Sequence, residues 1–203
     1  MGWLYQYDPV ENPVAHLTAK CKYDNERRTL QALAAARVGN TVYMAIKSTD
    51  KATGESYVFA AVILISNTKK HGFGYKDMDE SVGPCQCDCP DRIMRLLTPI
   101  ADLPNSGHAA DWRARVEARN NAKRQQRERR QSLRVASIVT LPAAACFRGG
   151  FTASRFRVAY FWGRTPVFEA GDPPTFRCRL TAAMLAAATI ATPQAADLDQ
   201  RGA

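Results

Sequence analysis

Three apolar stretches between Thr29 and Asn67 constrain the fold more than any other part of the chain. They are TLQALAAARVG, NTVYMAIKSTD and ESYVFAAVILISN, punctuated by Gly39-Asn40 and by STDKATGE. The second and third are rich in Val, Ile, Tyr and Phe, which suit a pleated and half-buried surface, and turn residues bound them. They predict strands joined by hairpins. Residues 30–37 carry Leu and Ala, which suit a helix. Their place just before Gly39-Asn40 favours a third antiparallel strand. The most apolar run, Val58–Ile65, has the length of a strand and falls far short of a bilayer span.

Helices are expected downstream. Pro90 suits a first helical position, with Cys89 as the cap residue and Asp91 in the first turn. Ile93, Leu96 and Leu97 are spaced to bury one face, and Thr98-Pro99 stops the helix. A second helix begins near Ala109 or Ala110 and shares a buried stripe of Ala109, Trp112 and Val116. Beyond Arg119 that stripe disappears. The C-terminal part changes texture: RVASIVTL, SRFRVAYFWG, TPVFEAG and PTFRCRL are short β-type runs between Pro and Gly turns, followed by the alanine-rich helix LTAAMLAAATIA. MGWLYQY and DPVENP read as a turn-prone surface stretch. The expected class is therefore α+β. An antiparallel sheet with helices occupies 1–118 and a basic helical linker 119–134. A small SH3-like β-barrel occupies 135–192, and a disordered tail 193–203.

The formal net charge is +9, and 46% of the residues are hydrophobic, an ordinary fraction for a globular protein. The positive excess is uneven. Residues 108–134 contain nine Lys/Arg against three acids. Such a run attracts a phosphate backbone and releases counterions on binding. DNA or RNA is the expected partner, with Arg113, Arg119, Lys123, Arg124, Arg127 and Arg130 as phosphate contacts. A solvated linker helix is the plainer reading of the same run. Cations and aromatics also interleave at Arg155-Phe156-Arg157, Tyr160-Phe161-Trp162 and Arg164, a pattern on which single-stranded nucleic acid stacks. A small barrel needs rings for its own core, so these are expected to be structural.

Residues 71–99, HGFGYKDMDESVGPCQCDCPDRIMRLLTP, concentrate the remaining chemistry. Cys85, Cys87 and Cys89 alternate and would face one side of an extended segment, with His71 upstream, a candidate zinc set. Structural zinc sites use turned C-x₂₋₄-C knuckles, which strict alternation does not supply. Asp77, Asp79 and Glu80 are candidates for a magnesium site or a general base. The bland reading is a surface turn with Asp bonded to nearby backbone. Cys89 at a helix N-terminus is a candidate nucleophile, for which His16, His71 and His108 are the histidines available as base. Cys21, Cys146 and Cys178 are expected as small buried hydrophobes. No cofactor is expected beyond these zinc or magnesium candidates. P-loop, dinucleotide, zincin and nucleophile-elbow motifs are missing.

The Met-Gly-Trp start, FGYKDMDE with Gly83-Pro84 after it, Cys89-Pro90, Leu96-Leu97-Thr98-Pro99 and Trp112-Arg113 together resemble a proteobacterial domain-of-unknown-function family met in genomes, plasmids and phages. The likeness covers residues 1–115. Members of the family usually lack the first two cysteines of CQCDC, which counts against a family-wide metal site. The resemblance implies no activity that carries over. The favoured expectation is a non-enzymatic, cytoplasmic nucleic-acid-binding accessory protein of a mobile element, with no membrane partner. The alternatives are a metal- or cysteine-dependent enzyme centred on the YKDMDE…CP segment and a protein-binding inhibitor or scaffold.

Overall fold

Strands β1 (Leu4–Gln6), β2 (Tyr23–Asp24), β3 (Arg28–Val38), β4 (Thr41–Asp50), β5 (Ser56–Thr68) and β6 (Gly72–Asp79) form one antiparallel sheet. Their order is β1-β6-β5-β4-β3-β2. The computed structural model describes residues 2–6, 8–68, 72–171 and 173–191. The chain divides into two compact units, Met1–Asn121 and Ala122–Ala203. The three apolar stretches are β3, β4 and β5, the hairpin partners expected from their turn residues.

Strand periodicity sorts the side chains of this sheet into two cores. Val42, Met44, Ile46, Ala61, Ile63, Ile65 and Phe73 lie on one face with Leu17 of α1 (Pro13–Lys20). Tyr43, Ala45, Ala60 and Val62 lie on the other face. There they meet Cys89, Ile93 of α2 (Asp91–Met94), and Trp112 and Val116 of α3 (Ala109–Ser132). Both faces are covered, so the middle of β4 reads as a continuous apolar run and not as an alternation.

Helix α1 begins at Pro13, the last residue of the stretch expected to be a turn-prone surface, and runs through residues for which no element was expected. Its start is encoded by Asn12-Pro13: the Asn12 side chain accepts from the Ala15 N–H at 3.1 Å, and Pro13 opens the first turn. FGYKDMDE, whose acids suggested a surface turn, is a strand as far as Asp79. Gly74 pairs with Tyr5 of β1, and a Cβ there would sit 2.7 Å from the Tyr5 ring. The glycine admits a close aromatic neighbour within the sheet. The turn comes later, as a short 3₁₀ segment (Glu80–Val82) closed by Gly83 in the left-handed region at φ 64°. Helix α2 is a single turn. Pro90, not Cys89, occupies its cap position, and Leu96 is exposed while Ile93 is buried.

The second unit holds β7 (Ile138–Cys146), β8 (Thr152–Trp162), β9 (Thr165–Ala170), β10 (Phe176–Cys178) and β11 (Thr189–Ala191) in the order β10-β9-β8-β7-β11. The sheet is open, a curled half-barrel. Its core is Val139, Leu141, Phe156, Val158 and Phe168, covered by Leu133 and by Leu185 of α4 (Ala182–Ala187). The alanine-rich segment stops being helical at Ala187, and its last residues pair with β7 as β11. The expected tail at 193–203 lies outside the described residues. Two antiparallel sheets with few helices make the chain α+β. Among the described residues, no helix is long and apolar enough to cross a membrane.

Candidate functional site

Helix α3 begins by burying an ion pair. Glu80 has 2% of its side chain exposed and Arg113 11%. Arg113 Nε donates to Glu80 Oε2 at 2.6 Å, and Nη2 donates to Oε1 at 2.7 Å, a bidentate fork. Arg113 Nη1 donates to the Thr98 carbonyl at 2.6 Å. Glu80 Oε1 also accepts the Ala60 N–H at 3.1 Å. Thr98 is bound in turn to β5: its Oγ1 accepts the Val58 N–H at 2.8 Å, and its own N–H donates to the Val58 carbonyl at 3.0 Å. Arg113 was expected to meet phosphate. Its guanidinium is instead committed to Glu80 and Thr98 inside the fold.

The same helix holds the cysteine-bearing segment. Trp112 Nε1 donates to the Gln86 carbonyl at 2.9 Å, and Arg115 Nη2 to the Pro84 carbonyl at 3.1 Å. Arg119 pairs with Asp88 at 2.5 Å, and that hydrogen bond raises the guanidinium pKa further above its ordinary value. Asn120 Nδ2 donates to the Cys89 carbonyl at 2.9 Å and to Asp91 Oδ1 at 2.7 Å. The Asp88 N–H donates to the Tyr43 hydroxyl at 3.1 Å. Arg115 and Asn120 were not singled out from the sequence. The only signal for them is their position one turn from Trp112 and Val116 on the same helix.

The acidic cluster does not assemble into one carboxylate site. Asp77 and Asp79 follow Phe73 and Tyr75 onto the α1 face of the sheet, whereas Glu80 turns to the α3 face. Asp79 caps the 3₁₀ turn, accepting from both the N–H and the hydroxyl of Ser81. Asp77 and Asp79 line an open cleft of about 440 Å³ with Lys20, Cys21, Ile46 and Phe59. Burial, and then the charge of Asp77, push the Cys21 thiol above its ordinary pKa.

The cysteines diverge as well. Cys85 is exposed, Cys87 is half-buried with its thiol donating to the Cys85 carbonyl at 3.3 Å, and Cys89 is fully buried. Burial, followed by the charges of Glu80 and Asp91, lifts the Cys89 thiol from 9.0 to about 12. This is opposite in direction to the thiolate stabilisation expected at a helix N-terminus. His16 lies on the other face of the sheet, its ring edge-on to Phe73. His71 lies outside the described residues. Among the described residues, no group of three His, Cys, Asp or Glu side chains is placed to hold a metal ion. Cys146, expected to be buried, is exposed.

The exposed cations lie elsewhere. Lys123, Arg124, Arg127 and Arg130 are exposed on the second half of α3. Arg129 beside them donates to the carbonyls of Leu185 and Ala188, both at 3.1 Å, and closes the end of α4. Residues 122–203 hold thirteen Lys/Arg against five Asp/Glu, whereas residues 1–121 hold fifteen against fourteen. Almost all of the net positive charge therefore belongs to the second unit. The rings of β8 divide: Phe156 and Phe161 serve the core, as expected of barrel aromatics, but Tyr160 and Trp162 are exposed.

Residues 104–183 match the family model described as a domain of unknown function (DUF6927). Over that stretch, the chain is similar to an uncharacterised domain family. The stretch runs from just before α3 to the start of α4. Of the motifs that carry the resemblance noted from sequence, it takes in Trp112-Arg113 alone. No curated protein and no solved structure matches the chain.

Arg113→Ala leaves Glu80 charged and buried without its partner, a change that costs roughly 3–5 kcal/mol. Urea denaturation should show the loss, and Glu80→Ala should show one of similar size. Burial also pushes the Tyr43 hydroxyl from 10.0 to about 12. Cys89 and Tyr43 thus keep their protons when folded at pH values where the unfolded chain releases them. The unfolded state binds fewer protons, so stability falls as pH rises from about 9 towards 12. The urea midpoint should drop over that range, and less steeply in Cys89→Ala. At mildly alkaline pH, iodoacetamide should label Cys85 and Cys146 and spare Cys89 until denaturant is added.

Proposed function

We propose that the protein is a non-enzymatic nucleic-acid-binding accessory protein of the kind mobile elements carry. Its phosphate contacts come from Lys123, Arg124, Arg127 and Arg130 on the second half of α3. The observation that carries this reading is the charge asymmetry: the first unit is close to neutral, and the second holds the positive excess. Past Val116 the helix has no apolar stripe, and up to Ser132 its described tie to the rest of the second unit is Arg129 at the end of α4. Its exposed arginines would gain from a polyanion through counterion release. The geometry around Glu80 and Cys89 supports the same choice, because both groups are used inside the fold.

The test is binding of fluorescent DNA and RNA, single-stranded and duplex, across a salt series. The wild-type chain should bind tightly at low salt and lose affinity steeply as salt rises. Arg127→Glu with Arg130→Glu should weaken binding to all sequences alike. For duplex DNA it should also reduce the slope of log K against log salt by roughly 0.9 for each phosphate no longer neutralised. Unchanged affinity and slope in the double variant would remove the helix from the interface.

A further inference from the structure

The second sheet carries a feature that bears on which kind of nucleic acid is bound. Strand β8 has one irregularity in its pairing with β9, between Val158 and Tyr160. Before it, Phe156 and Val158 point into the core, and Arg155 and Arg157 point away. After it, Phe161 packs against the core, and Tyr160 and Trp162 take the outer side. A bulge inserts one residue and resets the alternation. Without it, Phe161 would share the outer face with the arginines, and Tyr160 and Trp162 would point inward. With it, two arginines and two rings of different strand parity share one face.

That face is continuous across the sheet. Arg177 on β10 lies opposite Glu169 on β9, which lies opposite Arg157 on β8. Arg157 Nε donates to Glu169 Oε1 at 2.8 Å, and Arg177 Nε is 3.9 Å from Glu169 Oε2. The one carboxylate among these residues is therefore neutralised from both sides. The Arg177 guanidinium also lies over the Tyr160 ring, 5.7 Å from its centroid. Arg155 is exposed opposite Thr140, and Arg164 is exposed in the β8–β9 turn. Trp162 is 71% exposed and Tyr160 39%. The core has no need of them, because Phe147, Phe151, Phe156, Phe168 and Phe176 already fill and edge it.

We infer that this face is a stacking platform for single-stranded nucleic acid. Trp162 and Tyr160 receive bases, and Arg155, Arg164 and Arg177 meet the phosphates. The inference rests on the reading that the partner is nucleic acid, and it adds the strandedness. Two residues apart on one strand face, the rings stand about 7 Å from each other. Each offers a flat surface to a base, next to cations that follow the backbone. A duplex keeps its bases stacked on one another and has no free base face to offer. A protein partner for this face would have to be acidic to match its arginines.

The experiment uses the full chain with a fluorescent oligonucleotide in three forms: single-stranded DNA, single-stranded RNA and a DNA duplex. Trp162→Ala should weaken binding of at least one single strand roughly tenfold and leave duplex binding within about twofold. Trp162→Phe should recover most of the loss. Trp162 is exposed, so an unchanged melting temperature is expected to accompany both variants. Preference for RNA or for DNA would assign the sugar, and either supports the platform. Single-strand affinity unchanged in Trp162→Ala, while Arg127→Glu with Arg130→Glu weakens binding, would overturn the platform and leave the nucleic-acid reading standing. Equal loss on duplex and single strand would overturn the strand selectivity. No binding of any oligonucleotide by the wild-type chain at low salt would overturn both.

Discussion

The Glu80–Arg113 pair is the point on which the first unit depends. It joins the end of β6 to α3, reaches the backbone of β5 through Ala60, and reaches the Thr98 stop through its carbonyl. A buried ion pair is weak evidence for net stability, because removing two charges from water offsets much of their attraction. Its strength here lies in its additional backbone bonds. The fork is bidentate, and each partner also bonds a backbone group, the Ala60 N–H or the Thr98 carbonyl, that would otherwise need water. The pair places α3 over the Tyr43–Val62 face, and Trp112 and Asn120 can then hold the segment that carries Cys89.

This arrangement gives physical meaning to the motifs that stood out in the sequence. Asp79 caps a turn, Glu80 and Arg113 pair, Thr98 hydrogen-bonds to β5, Trp112 anchors a carbonyl, and Cys89 fills a core. They converge on one assembly although they span more than thirty positions. A dense cluster of chemically capable residues read as a possible active centre. Its members are mostly spoken for by one another and by the backbone.

Legibility in the sequence followed how local each signal was. The hairpins β3–β4 and β4–β5 were readable because turn residues and β-type side chains agree over short spans. The buried stripe Ala109-Trp112-Val116 was readable because helical spacing is a local rule. Helix α1 was missed: it is eight residues long and buries little besides Leu17, and its cap pair Asn12-Pro13 sits among turn formers. Strand β6 was read as a loop because its acids suit turns. Only pairing with β5 and β1, neighbours distant in the chain, makes it a strand. The commitment of Arg113 and the outward turn of Trp162 depend on a tertiary partner and on a one-residue bulge, neither of which leaves a periodic trace.

The edges of both sheets share one property. β1, β10 and β11 have three residues each and β2 has two, whereas the strands they cover run from six to eleven. A long strand with unpaired N–H and C=O groups is a template for pairing with another chain, and very short edge strands are one way proteins blunt it. Here that protection is delegated to four segments of two or three residues. Trimming residues 4–6 or 189–191 would remove little of either core, yet it would lay bare the full hydrogen-bonding edge of β6 or β7. Such a chain would keep most of its buried side chains and expose a longer template for pairing, so resistance to aggregation is carried by some of the smallest elements in the molecule.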